Sequence, residues 1–175
     1  MIEQRLKEAI RNVADFPKPG IMFKDITPIL NDNTLCDDIV DETVKRLQGI
    51  KIDAIAGIES RGFLFGFLLA QKLRVPFIPV RKAGKLPYQT ISYTYDLEYG
   101  TATIEVHTDA LKPGDNVLIH DDLLATGGTA VAAAELVKQL GGIVAGYSFI
   151  VELEFLNGRD NLVQYTDNVI SLVGF

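Results

Sequence analysis

The chain has one cysteine, no surplus of basic residues and no long apolar run. The lone thiol of Cys36 excludes an intramolecular disulfide framework, so a reducing, cytoplasmic setting is the simplest expectation. The formal net charge of −6 argues against nucleic acid as the main partner, because phosphate backbones favour basic surfaces. The most apolar stretch, GFLFGFLLA from Gly62 to Ala70, falls well short of the roughly 20 residues that span a bilayer. It reads as a buried helix, and no membrane partner is expected. The opening residues MIEQRLKEAI are charged throughout and lack the apolar segment of a secretory leader. Internal repeats, low-complexity tracts and Pro/Ser linkers are missing as well, which leaves one domain as the reading for 175 residues.

What is present is ordinary core-forming material: 47% hydrophobic residues, 23% charged residues and nine phenylalanines. Apolar residues at Ile2, Leu6, Ile10 and Val13 form a helical stripe. The next segment, DFPKPGIMFKDITPIL, holds three prolines and a glycine and cannot be a regular helix. Helical spacing resumes through Leu35, Ile39, Val40, Val44 and Leu47, with Gly49 as a stop. Then comes a strand at Ile52 to Ile58, the apolar helix, and a second strand in VPFIPV, which together make a parallel crossover unit. From Arg81 the chain turns polar and rich in Tyr and Thr, and reads as a loop followed by a two-stranded antiparallel excursion around EYGT. KPGD is a turn, NVLIHDD a strand, TAVAAAELVKQLGG a helix and IVAGYSFIVEL a strand. A short turn or helix lies at Gly158 to Leu162, ahead of a final strand in NVISLVGF. This alternation implies an α/β fold with a mostly parallel sheet flanked by helices.

One stretch needs a chemical explanation: VLIHDDLLATGGTA, Val117 to Ala130. A buried strand delivers Asp121 and Asp122 to its carboxyl end, the edge where open α/β sheets bind ligands. Small residues then form a tight loop whose backbone N–H groups are accessible, Thr126 and Thr129 add hydroxyls, and a helix begins with its positive end facing the same place. The arrangement suits a phosphate flanked by carboxylates. A plain strand-to-helix turn capped by Thr or Asp is the bland reading of the same glycines. Two adjacent acids resist that reading, because they repel each other without a counter-ion. The stretch is neither a P-loop, since no GK[ST] follows the glycines, nor the dinucleotide fingerprint G-x-G-x-x-G.

It closely resembles the signature of type I phosphoribosyltransferases. The resemblance implies that Asp121 and Asp122 hold the ribose of phosphoribosyl pyrophosphate (PRPP), and that Ala125, Thr126, Gly127, Gly128 and Thr129 hold its 5′-phosphate. His120 departs from the family, which more often has an aliphatic residue there, and is expected to pack structurally. Leu123, Leu124 and Ala125 supply none of the extra acid that hypoxanthine-guanine members carry in this loop, and Leu123 suits a flat purine.

Three further segments resemble the adenine-specific branch of the family. FPKPGIMFKDITPIL is similar to its base-recognition segment: Met22 and Lys24 would use main-chain groups and Phe23 would stack on adenine. An irregular backbone there would leave N–H and C=O groups free. GIESRGFLFG is similar to its pyrophosphate loop, with Glu59, Ser60 and Arg61, and the family's non-proline cis peptide falls at Glu59–Ser60. Ser60 could instead be a plain helix cap. RKAGKLP…YDLEYG is similar to its catalytic loop, where Arg81 and Lys85, read as lying in a glycine-containing loop, would face the leaving group. Glu98 would manage the proton that adenine loses, and Tyr99 would help to close the lid.

What the resemblance implies is one domain over 1–175, with a core at about 33–175, a base-binding hood at about 1–32 and a flexible catalytic loop at about 81–106. It implies transfer of the 5-phosphoribosyl group to adenine, giving AMP and pyrophosphate in purine salvage. Mg²⁺ would be bound through substrate oxygens near Asp121 and Asp122 rather than by direct protein ligands, and the protein would be a homodimer. The acidic net charge would then belong to the outer surface, with the site locally electropositive. Another purine, such as xanthine, or a non-catalytic PRPP-sensing regulator are the alternatives. Leu172, Val173 and Phe175 could pair with a partner or cap the sheet.

Overall fold

A computed structural model describes residues 1–175 except Glu98 and Tyr99. The chain opens with α1 (Ile2–Ala9), which ends four residues earlier than the apolar stripe suggested. Ile10 takes an extended backbone, and Arg11–Ala14 forms β1, paired antiparallel with β2 (Met22–Asp25). Val13 thus lies opposite Phe23 in a two-stranded sheet. The tertiary pairing overrides the helical spacing, because the hairpin satisfies backbone groups that a third turn of α1 would also have claimed. Cis-Pro17, Gly20 at φ +88° and the Asp15 carboxylate, which accepts from the Gly20 N–H at 2.7 Å, shape the hairpin loop. A 3₁₀ segment at Thr27–Asn31 completes this N-terminal unit.

Next come α2 (Asn33–Arg46), capped by the Asp32 side chain, and the crossover β3 (Ala54–Ile58), α3 (Gly62–Leu73), β4 (Phe77–Lys82). The excursion is a hairpin of β5 (Thr90–Asp96) and β6 (Thr101–His107). The second half of the chain supplies β7 (Asn116–Leu124), α4 (Gly128–Gln139), β8 (Ile143–Glu152), 3₁₀ segments at Glu154–Leu156 and Gly158–Asn161, and β9 (Val169–Gly174).

Seven strands make one sheet in the order β5-β6-β4-β3-β7-β8-β9. The run from β4 to β9 is parallel, and the hairpin adds an antiparallel edge through β6 against β4. Arg81 therefore stands in β4 opposite Glu105, not in the glycine-containing loop expected to hold it. One face of the sheet packs Val117, Ile119 and Tyr147 against the alanines of α4. The other packs Leu118, Ile150 and Val173 against Leu6, Ile39, Phe65 and Leu69 from three helices. The C-terminal strand caps the sheet of its own chain: Leu172 and Val173 are buried, and the Lys24 ammonium sits 3.9 Å over the Phe175 ring.

The apolar helix α3 departs from expectation. Phe65, Leu69 and Ala70 are buried, but Leu64, Phe67 and Leu68 are 42%, 51% and 43% exposed. The helix is apolar all round, while only one side of it meets the sheet and α2.

Chain order sets the ligand site. From β3 the chain moves outward to β4, and from β7 it moves the opposite way to β8 and β9. The crossover helices thus diverge between β3 and β7, which opens a crevice at the carboxyl ends of these two strands.

Candidate active site

The two acids stand at that crevice. Strand β7 runs on to Leu124, so Asp121 and Asp122 sit within its last turn of pleat rather than beyond it. Asp122 is buried, and its carboxylate is met at 2.6 Å by the Arg61 guanidinium, which arrives from the end of β3. The Asp121 carboxylate turns back to accept from the Asp122 N–H at 2.8 Å. Burial first, and then the charge of Asp122, push the Asp121 carboxyl well above the usual carboxylate range. A neutral or cation-stabilised carboxyl is what a site for sugar hydroxyls and a metal-bound anion would exploit.

The turn that follows has the geometry of an anion cradle. Gly127 is the N-cap residue of α4, at φ +85° in the left-handed region, and no side chain caps the helix. The bland reading of Thr126 or an Asp as a cap is therefore not what is found. Among the described residues the N–H groups of Thr126 to Ala130 meet no protein acceptor. Orphan amides at a helix start, with the helix dipole behind them, favour a bound anion. The concave side of the turn is lined by Asp121, Leu123, Ala125 and Thr126 to Ala130.

Beside it, the peptide joining Glu59 and Ser60 is cis, as the family resemblance implies. Ser60 does not cap α3, whose N-cap position is Arg61 without a side-chain bond. The Glu59 carboxylate gathers the basic residues: it accepts from the Lys82 N–H at 2.8 Å and lies 3.4 Å from both Arg81 Nη2 and Lys85 Nζ. The Lys82 amide chiefly holds its carboxyl below the usual range. Arg81 Nη1 donates to the Lys85 carbonyl at 3.3 Å, while the buried Arg81 Nε meets no acceptor among the described residues. Glu59, Ser60, Arg61, Lys82, Asp121 and Asp122 line one cavity of about 270 Å³. It adjoins a second of about 470 Å³ that shares Glu59, Lys82 and Asp121 with it and reaches Tyr95 and Thr129. Despite the acidic chain, four basic side chains converge on this crevice.

The N-terminal hood reaches the same place. The Arg61 guanidinium lies 5.4 Å from the centroid of the Phe23 ring, and Phe16 meets that ring edge-on at 5.0 Å. Met22, Phe23 and Lys24 lie on a regular strand, so the expected irregular backbone is absent. Free main-chain groups arise for a different reason: in a two-stranded sheet the outer edge of β2 has no neighbouring strand among the described residues. The Lys24 side chain faces away, to Asn12 Oδ1 at 2.7 Å and to Phe175. Glu98 and Tyr99 lie outside the described residues.

His120 is packed structurally, as expected. The ring is buried and shares a 2.7 Å hydrogen bond with Ser148 Oγ. Burial lowers its pKa to about 4, against the opposing pull of Asp122. A depressed histidine pKa favours the folded state when the ring is neutral. That stability is complete above the unfolded pKa near 6.5 and is lost as pH falls toward 4, at up to about 1.4 kcal/mol per pH unit. The raised Asp121 carboxyl has the opposite sign and is common to wild type and variant. His120→Val is therefore expected to flatten the fall in urea midpoint between pH 6.5 and 4.5 relative to wild type. Parallel profiles would contradict this.

Several site residues escaped the sequence reading. A Cβ on Gly62 would lie 2.9 Å from the His120 carbonyl and 3.0 Å from Asp121 Oδ1, so glycine is what lets α3 start against the acids. Tyr95 Oη sits 3.0 Å from Thr129 Oγ1, which brings β5 over the turn that opens α4. Lys82 lines both cavities. Gly158 and Asn161 touch the turn from behind. Contact across tens of residues leaves no local pattern; only the isolated glycines were a signal.

Comparison with known proteins agrees with this geometry. A family model described as a phosphoribosyl transferase domain matches residues 24–150. An adenine phosphoribosyltransferase from Cytophaga hutchinsonii is 51% identical over 175 residues, which is 100% of this chain and 97% of the relative. The crystal structure of the adenine phosphoribosyltransferase from Thermoanaerobacter pseudethanolicus matches with a TM-score of 0.96 at 52% identity, covering 100% of both chains. The Saccharomyces cerevisiae enzyme, solved with D-2,5-dideoxy-2,5-imino-altritol 1,6-bisphosphate and adenine, matches at 0.92 and 44% identity over 98% of each chain.

Proposed function

The chain belongs to the phosphoribosyltransferase family, and on that premise we propose that it transfers the 5-phosphoribosyl group of PRPP to adenine, giving AMP and pyrophosphate. The observation that carries the reading is the uncapped α4 turn lying directly beside the adjacent acids of β7, Asp121 and the buried Asp122, at the switch point of the sheet. The turn, Ala125 to Thr129, takes the 5′-phosphate on its free amides, and Asp121 and Asp122 take the ribose hydroxyls. Glu59, Ser60, Arg61, Arg81 and Lys85 border the pyrophosphate, with Lys82 added to them by its place in the groove wall. The open edge of β2 at Met22 to Lys24 reads the edge of adenine, while Phe23 and Leu123 contact its faces.

In the reaction the bond from C1′ to the pyrophosphate oxygen breaks and a bond from C1′ to the purine nitrogen forms. The electron pair leaves with pyrophosphate, and the proton on the purine nitrogen goes to a base, for which Glu98 is the candidate. Positive charge develops on the ribose ring, as in other glycosyl transfers. Arg61, Arg81 and Lys85 stabilise the negative charge on the leaving group. No cluster of three or more residues placed to hold a metal ion exists among the described residues, while the Glu59, Asp121 and Asp122 carboxylates face the groove, the first of them engaged with Arg81, Lys82 and Lys85. That donor set fits Mg²⁺ held mainly through substrate oxygens. When bound, such an ion neutralises pyrophosphate charge.

The test is a base panel with labelled PRPP. Adenine is expected to be turned over at least about a hundredfold faster than hypoxanthine, guanine or xanthine, because a site that hydrogen-bonds one edge rejects analogues lacking the matching groups. Turnover of another base, or PRPP binding without turnover of any, would replace this reading with one of its rivals.

We place the enzyme in the cytoplasm as a homodimer. The free thiol of Cys36 suits a reducing compartment, and no helix among the described residues is long and apolar enough to cross a membrane. The exposed Leu64, Phe67 and Leu68 on α3 give the second copy an apolar face to cover. Leu68→Lys is expected to shift the mass measured by light scattering from dimer to monomer. An unaltered dimer would remove α3 from the interface.

A further inference from the structure

We propose that residues 157–161 form an outer brace that aims the phosphate turn, with Asn161 and Arg159 as its positioning residues. The inference rests on the reading above, in which Ala125 to Thr129 receive the 5′-phosphate.

The turn has little to hold it from inside. Its amides meet no acceptor among the described residues, and Gly127 occupies a region of backbone space that only glycine visits freely. Its shape is imposed from behind. Asn161 Nδ2 donates to the Thr126 carbonyl at 2.8 Å. That carbonyl and the Gly127 N–H belong to one planar trans peptide and point in opposite directions. Fixing the oxygen on Asn161 therefore turns the Gly127 N–H to the other side of the chain, the side a phosphate would occupy.

Gly158 does the same by contact. A Cβ there would lie 2.1 Å from the Ala125 carbonyl oxygen, and a Cβ on Gly127 would lie 2.8 Å from the Gly158 oxygen. The two backbones are pressed together, and the Ala125 carbonyl shares its peptide plane with the Thr126 N–H.

The brace is anchored in turn by Arg159. Its guanidinium forks onto the Glu152 carboxylate at 3.1 and 2.6 Å and donates to the Val169 carbonyl at 2.7 Å. Glu152 is the last residue of β8, in register with Leu124 of β7, the residue from which the turn departs. Glu152 is 8% exposed and fixed in the sheet, and the forked geometry with the Val169 contact holds the half-exposed Arg159 against it.

A brace that aims amides acts on phosphate-bearing ligands and leaves the pyrophosphate groove alone. Calorimetric titration of wild type, Asn161→Ala and Arg159→Lys with ribose 5-phosphate and, separately, with pyrophosphate plus Mg²⁺ distinguishes this from general damage. Asn161 is exposed, so its truncation is not expected to prevent folding. Both variants are expected to bind ribose 5-phosphate about five- to tenfold more weakly, with pyrophosphate affinity within twofold of wild type. Unaltered ribose 5-phosphate binding by Asn161→Ala would overturn the brace, as would equal losses for both ligands. Wild-type protein that binds pyrophosphate but no ribose 5-phosphate would overturn the assignment of the turn, and the brace with it.

Discussion

The double variant Asp121→Asn, Asp122→Asn is expected to lose at least about a hundredfold in kcat/KM for PRPP. Hydrogen bonds to a charged group contribute about 1.5–3 kcal/mol each, so losing two of them in the transition state costs about 3–6 kcal/mol, or 10²- to 10⁴-fold. The change keeps shape and should keep the fold. Burial already favours the neutral form of the Asp121 carboxyl, and that form is the one an amide imitates. Asp122 loses its pairing with Arg61, but that arginine is 47% exposed in its side chain and can turn to solvent. A near-native thermal midpoint together with collapsed turnover is the expected pair of results. Unchanged turnover would refute the ribose-holding role outright.

Glu98→Gln should act on a different quantity. If this carboxylate takes the proton from adenine, kcat falls by about 10²- to 10⁴-fold, while PRPP binding stays within about twofold of wild type. Its position in the chain supports the assignment. Tyr95 already contacts the start of α4 through Thr129, and three residues of chain reach about 10 Å from there. Equal losses in kcat and in PRPP affinity would mark Glu98 as a binding or structural residue, and another proton acceptor would have to be found.

How much of this was legible in the sequence depends on how local each feature is. The strand, acids, glycine turn and helix of Val117 to Ala130 lie in one contiguous run, so alternation, small residues and helix propensity described them together. The parallel sheet followed from alternating elements in the same way. The helix of the N-terminus was over-extended because Ile10 and Val13 keep helical spacing, while the pairing of Val13 with Phe23 is decided by a hairpin closing around cis-Pro17. The exposed side of α3 was hidden, since an apolar helix carries no mark of which face will be left uncovered. Arg81 looked like a loop residue because its strand is defined by Glu105 across the sheet, 24 positions away. The salt bridge of Arg61 with Asp122 and the contacts of Gly62, Gly158 and Asn161 with the site all join distant parts of the chain. They exist only once the sheet order brings β3 beside β7 and folds the segment after β8 back against the turn.

The most direct test of the central claim is a crystal structure of the protein with PRPP and Mg²⁺. The account predicts the 5′-phosphate within hydrogen-bond reach, about 3 Å, of the amides of Thr126 to Thr129, with the ribose hydroxyls on Asp121 and Asp122. A donor seated elsewhere, with those amides still unengaged, would contradict it.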